Sequence, residues 1–234
     1  MAYTHIQTAT QTEVTGGANT LTITLPVAPT AGNLVVVGME GGGSLAGLAV
    51  KDLNNNVYTL TPKSPWTGSL GFNAIAYLLS APANAAAGIT ATWTTGSGNT
   101  FANADEFSGP GLWQFDNDTN ANGTSSGTTI STPTISPTQF DLLYAMGQFS
   151  PSHPTAPTNG STVGVWVGSH SGIFVLAEYC LGASTPTGVN YTTASGNGWS
   201  IIAACFYTPA PPVPPTIVAC FDDDVHWIGG DDSW

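Results

Sequence analysis

The chain has 234 residues, 7% of them charged and 41% hydrophobic, which is enough to bury a full core in one all-β domain. Its 14 acidic residues stand against 2 basic ones, Lys51 and Lys63, for a formal charge of -12; two cations cannot track a phosphate backbone, so nucleic-acid binding is excluded. No apolar run reaches membrane-span length, which excludes membrane insertion, and the opening MAYTHIQTATQTEVTGG lacks the basic and apolar regions of a secretory signal peptide.

Strand periodicity dominates, and no segment sustains a helical apolar repeat. TLTITLPV (20–27) alternates and reads as a half-buried strand, whereas NLVVVGM (33–39) is a continuous apolar run, expected to be covered on both faces. KDLNNNVYTL (51–60) sets Asn54, Asn55 and Asn56 between apolar segments, which predicts a hairpin turn. NAIAYLLSA (73–81), GITATWTT (88–95) and NTFANADEF (99–107) read as further strands, and Pro82 and Gly88 confine PANAAAG to a helical turn. The Gly-, Asn-, Ser-, Thr- and Pro-rich stretch 108–138 reads as a surface crossover with one edge strand near GTTISTPTI.

The second half repeats this order. FDLLYAMGQF (140–149) answers GNLVVVGM, IFVLAEYCL (173–181) answers FNAIAYLLS, and GVNYTTASGNGWSIIAACFYT (188–208) answers GITATWTTGSGNTFANADEFSG. In that pairing Gly88 faces Gly188 and Phe101 faces Trp199. Two such strand sets are too few for a stacked array and predict one closed sandwich over 1–208. PAPPVPP (209–215) then forms a polyproline spacer, and 216–234 is an acidic, aromatic arm. Of the three cysteines, Cys180 and Cys205 sit in apolar strands as buried thiols or a single bridge, and Cys220 belongs to the arm.

The succession AGNLVVVGM, AIAYLLSAPANAAAGITATW, ADEFSGPGLWQFD and TTISTPTISPTQFDLLYAM resembles a jelly-roll-like β-sandwich domain of phage virion proteins and bacterial surface proteins. The likeness covers most of 20–148 and continues more weakly to Thr208. It departs from the family pattern at Pro110-Gly111, at the step Trp113-Gln114-Phe115-Asp116, and in the spacer and arm. What the resemblance implies is a Greek-key or jelly-roll fold and a setting on a particle or cell exterior; its motifs are strand punctuation and imply no activity.

Chemistry is sparse. His5, His153, His170 and His226 have no metal-ligand spacing, and no nucleophile elbow, P-loop or dinucleotide fingerprint occurs. Asp105 and Glu106 are adjacent on a strand and must point to opposite faces, one to solvent and one inward, so they cannot form a glycosidase pair. Glu178, on the strand answering that of Tyr77, leaves a secreted glycan hydrolase as a further alternative. No catalytic residue is assigned. The reading is a non-enzymatic structural component of a virion or extracellular assembly, whose partners are itself and other particle or surface proteins. Ile217, Val218, Phe221, Trp227, Ile228 and Trp234 are the docking residues of its arm, which adds TIVACF as a strand to a neighbour's sheet edge. The alternative is a carbohydrate-binding receptor or adhesin module. Trp66 and Trp113 would stack on a host glycan, with Asn54, Asn55, Asn56, Asp116 and Asp118 as polar partners; Trp93, Trp166 and Trp199 are expected in the core. No cofactor is expected beyond Ca²⁺, for which Asp222, Asp223 and Asp224 are the candidate ligands without EF-hand spacing.

Overall fold

The computed structural model describes residues 3–9, 12–68, 70–94, 98–124, 129–131, 134–138, 141–150, 163–170, 173–183, 190–192 and 198–209. Among them are strands β1 (Thr4–Thr8), β2 (Thr12–Val14), β3 (Thr20–Thr24), β4 (Leu34–Gly41), β5 (Ala49–Asp52), β6 (Val57–Leu60), β7 (Trp66–Thr67), β8 (Phe72–Leu78) and β9 (Gly88–Thr92). There follow β10 (Thr100–Ser108), β11 (Gln114–Thr124), β12 (Thr129–Ser131), β13 (Asp141–Ser150), β14 (Val163–His170), β15 (Ile173–Ala183), β16 (Asn190–Thr192) and β17 (Gly198–Tyr207). The described residues contain no helix; PANAAAG closes as a turn, Ala85 N donating to Pro82 O.

Every pairing is antiparallel. A ten-stranded sheet runs β1-β10-β4-β8-β6-β5-β9-β3, with β2 also on β10 and β7 also on β8, and it curls until β3 returns against β2 and β10. A five-stranded sheet, β11-β17-β13-β15-β14, packs on one face of it, and β12 and β16 form a separate pair. The expected all-β sandwich is therefore what the chain adopts. The apolar run of β4 explains the layering: Val35, Val37 and Met39 fill the curl, while Leu34 and Val36 face the second sheet, all six positions from 34 to 39 being buried. Each large apolar side chain so buried stabilises by about 1.5–3 kcal/mol. Gly38 leaves room for the second sheet, since a Cβ there would lie 2.8 Å from Met146 Sδ and 3.0 Å from Tyr144 Oη. At Gly71, with φ +147°, a Cβ would lie 1.9 Å from Gly41 O; this bend admits no side chain.

The internal repeat is clearer in register than in sequence. Leu34 pairs with Phe107 as Leu142 pairs with Phe206, and Val36 pairs with Tyr77 as Tyr144 pairs with Tyr179. Outside them, His5 pairs with Phe107 as Phe115 pairs with Phe206, and each outer strand then carries an irregularity, at Ile6 and at Asp116. The set β1-β10-β4-β8 is thus matched by β11-β17-β13-β15. The two sets meet face to face, and Tyr77–Phe206 (5.2 Å, 68°) is mirrored by Tyr179–Phe107 (5.1 Å, 76°). Phe115 stacks on Tyr77 at 5.5 Å as His5 stacks on Tyr179 at 4.7 Å. Reciprocal contacts of this kind are those of a two-fold interface.

Three sequence expectations need correction. The equivalent of Phe101 is Ser200, and not Trp199: Phe101 pairs with Glu40 where Ser200 pairs with Gln148. A one-residue slip exchanges faces, and Trp199 accordingly packs on the outer face of the five-stranded sheet. Much of the 108–138 crossover is the edge strand β11, whose polar composition suits a strand with one open edge. Finally, Asp105 and Glu106 do face opposite ways, but both are buried, because β10 is covered on one side by the second sheet and on the other by the curl. The bridge between Cys180 and Cys205 does not form. Both pair with Leu143 from opposite sides, which sets them two strand spacings apart, about 9–10 Å, beyond disulfide reach.

Candidate functional site

Wherever the duplicated interface is apolar on both sides it is simply core, so the informative positions are those where the two sets differ by a polar group. There are two such places. At the first, Phe115 of one ring cluster is replaced in the other by His5, and Ala204 by Asp105. His5 Nε2 lies 2.9 Å from Asp105 Oδ1, and Asn103 Nδ2 donates to Asp105 Oδ2 at 2.6 Å. The Tyr144 hydroxyl lies beside Asp105 and Gly38 without hydrogen-bond geometry to any described group, and burial, then the Asp105 charge, pushes its pKa well up. An Asp–His pair can serve as a general base, but this imidazole is stacked on Tyr179, tilted against Phe107 and only 22% exposed. Its geometry fastens β1 to the sandwich.

The second place is a polar cluster at the other end of the interface. Phe101, Glu40, Asn73 and Trp66 stand side by side on β10, β4, β8 and β7, and Ser200 and Gln148 stand side by side on β17 and β13. Ser200 Oγ joins the rows, at 3.4 Å from Asn73 Oδ1 and 3.5 Å from Gln148 Oε1. Glu40, Asn73, Gln148 and Ser200 are all 0% exposed. Neither Glu40 oxygen, nor Asn73 Nδ2, nor Gln148 Nε2 has a hydrogen-bond partner among the described residues. Burial without a counter-charge pushes the Glu40 carboxyl well above the ordinary glutamate value. Half-buried Trp66 and the loop after it form the roof; Gly68 is so close to Ser200 that a Cβ would lie 2.7 Å from Ser200 Cβ.

No family model, curated protein or solved structure matches this chain.

The residues singled out from sequence are mostly not brought together. Trp113 is 3% exposed and stacks on Tyr3 at 4.9 Å inside the interface, so it offers no open ring to a sugar. Asn54, Asn55 and Asn56 build the β5–β6 turn around Asp52, whose Oδ1 accepts from Asn54 N and Asn56 N at 2.9 Å and whose Oδ2 accepts from Asn56 Nδ2 and Ala86 N. By register that turn lies at the end of β6 away from Trp66. Asp116 is held by Thr138, from both its N and its Oγ1. Asp118 is buried, and its Oδ2 accepts from Lys63 N at 2.7 Å, which ties the loop before Trp66 to β11. Trp93 is buried as expected, and Glu178 is buried on the outer face of the five-stranded sheet, away from Tyr77. Ile217, Val218, Phe221, Trp227, Ile228, Trp234, Asp222, Asp223 and Asp224 lie outside the described residues. Among the described residues no group of three or more His, Cys, Asp or Glu could hold a metal ion, and no helix is long and apolar enough to cross a membrane. Glu40 and Gln148 escaped the sequence reading, although each closes its apolar run at the same spacing after Leu34 and Leu142.

Proposed function

We propose that the chain is a non-enzymatic structural component of a virion or extracellular assembly, self-associating through its sandwich and its C-terminal arm. The observation that carries this reading is the use made of the acidic side chains. Asp52, Asp105, Glu106, Asp116 and Asp118 each accept hydrogen bonds that tie strands or loops together, so these carboxylates build the body and are not offered to a substrate. The setting comes from the resemblance to virion and surface sandwiches. Light scattering on the full chain and on a version ending at Thr208 tests it: the full chain gives a multi-chain mass and the shortened one a folded monomer. Two monomers of equal stability end the self-association reading.

A carbohydrate-binding role keeps one specific support, the half-exposed Trp66. An aromatic face open to solvent is the part of a sugar site that stacks on the ring. On that reading the protein is retained by a glycan panel and Trp66→Ala lowers retention at least tenfold, with the fold unchanged by circular dichroism; equal retention of both proteins removes it.

A further inference from the structure

At the Trp66 end of the interface, oxygen atoms from both strand sets gather around one hydroxyl. Ser200 Oγ lies 3.4 Å from Asn73 Oδ1 and 3.5 Å from Gln148 Oε1, longer than the roughly 2.5–3.0 Å of an O–H···O hydrogen bond. Its single proton can serve only one of the two. Beside them stands Glu40, paired in register with Asn73, fully buried and without a hydrogen-bond partner for either oxygen. No lysine or arginine supplies its counter-charge: Lys51 and Lys63, the only lysines in a sequence without arginine, are both exposed. The residues of the cluster on β10, β8, β13 and β17 are Phe101, Asn73, Gln148 and Ser200, none of which titrates. Charges buried in proteins are paired or coordinate metal ions.

We infer that Glu40, Asn73, Gln148 and Ser200 bind a monovalent cation of the size of Na⁺, held between the two halves by one carboxylate and three neutral oxygens. The spacing suits such an ion, because two oxygens each about 2.4 Å from a common cation and at right angles lie about 3.4 Å apart. The charge suits it as well. One carboxylate offsets one positive charge, whereas a divalent ion would leave an uncompensated charge out of water, and Ca²⁺ takes about 6–8 oxygens. The ion gives both amides a reason to present oxygen, and not nitrogen, to Ser200. Gly68 closes the site from above, since a Cβ there would lie 2.7 Å from Ser200 Cβ. Glu40 and Asn73 belong to the first strand set and Gln148 and Ser200 to the second, so the cation joins the halves.

The test melts the full chain at about pH 8 in about 150 mM NaCl, KCl or choline chloride, salts that screen surface charge equally. The midpoint in NaCl is expected to lie at least about 3 °C above that in choline chloride, with KCl between them. Glu40→Gln is expected to reduce the difference below about 1 °C. In choline only a proton can neutralise the carboxylate, so sodium is expected to narrow the gap between the wild type and Glu40→Gln. In parallel, the wild type is expected to broaden the sodium NMR line more than Glu40→Gln does at equal protein concentration. Should Glu40→Gln not fold, Ser200→Ala, which keeps the carboxylate and removes one oxygen, takes its place and is expected to lose part of both effects. Equal midpoints in sodium and choline, with equal line widths for the two proteins, overturn the site. A sodium-dependent rise that the variant retains in full overturns it too, by placing the ion elsewhere on this acidic chain. A larger rise in about 1 mM CaCl₂ than in NaCl overturns the monovalent assignment.

Discussion

Glu106→Ala is expected to lower the stability of the folded chain by about 3–5 kcal/mol, a large part of the 5–15 kcal/mol typical of a domain. The carboxylate is fully buried. Its Oε1 accepts from Thr30 N at 2.8 Å and from Asn33 Nδ2 at 2.6 Å, and its Oε2 accepts from Gln7 Nε2. Gln7 in turn binds both the N and the O of Val27. One side chain on β10 thus fixes the first strand and the whole connection from β3 to β4. Truncation leaves these donors facing a cavity, and each buried donor without an acceptor costs about 1–3 kcal/mol. The thermal midpoint should fall by roughly 10 °C for a chain of this size. Amide exchange should accelerate first in 4–8 and 26–33. A loss below 1 kcal/mol by urea unfolding would show that solvent replaces the carboxylate and that the network is peripheral.

Glu40→Gln should act in the opposite direction, and only where the pH is high. Because the folded-state pKa of Glu40 is raised, the folded chain holds a proton that the unfolded chain releases. Below the unfolded glutamate value both states are protonated and no penalty exists. As the pH rises above it, the wild type loses up to about 1.4 kcal/mol per pH unit until the folded group also ionises. Glutamine has no such proton, and it is the side chain already present at the equivalent position, Gln148. The two proteins should therefore melt together near pH 4, and the variant should melt several degrees higher at pH 8, at about 2–4 °C per kcal/mol. Parallel midpoints across this range would mean that Glu40 has found a counter-charge in solution.

Strand identity was legible in the sequence because burial on two faces leaves a continuous apolar run, as in 34–39, and burial on one face leaves alternation, as in 20–24. Register was not legible. A slip of one residue between Phe101 and Trp199 keeps both aromatic and both in strands, yet it reverses the faces, and nothing local in a glycine- and serine-rich turn fixes the count. Edge strands such as β11 and β14 were hidden for a related reason: with one neighbour each among the described residues, they can be polar or glycine-bearing. The sites were less legible still. Glu40, Asn73, Gln148 and Ser200 come from four strands and meet only through the face-to-face packing of the two halves, so no short motif announces them. His5 gains its partner from a residue 100 positions away.

The equivalence of Glu40 and Gln148 at matched positions has a consequence for what a single chain can hold. In a symmetric dimer of half-chains the two positions would carry one identity, and an acid at that place would set two carboxyls into one dry interface. In one covalent chain the two positions are independent, so one holds the amide and the other the acid, just as one ring cluster holds phenylalanine and the other histidine with aspartate. Asymmetry of this sort is open to a covalently linked pair and closed to a self-paired one.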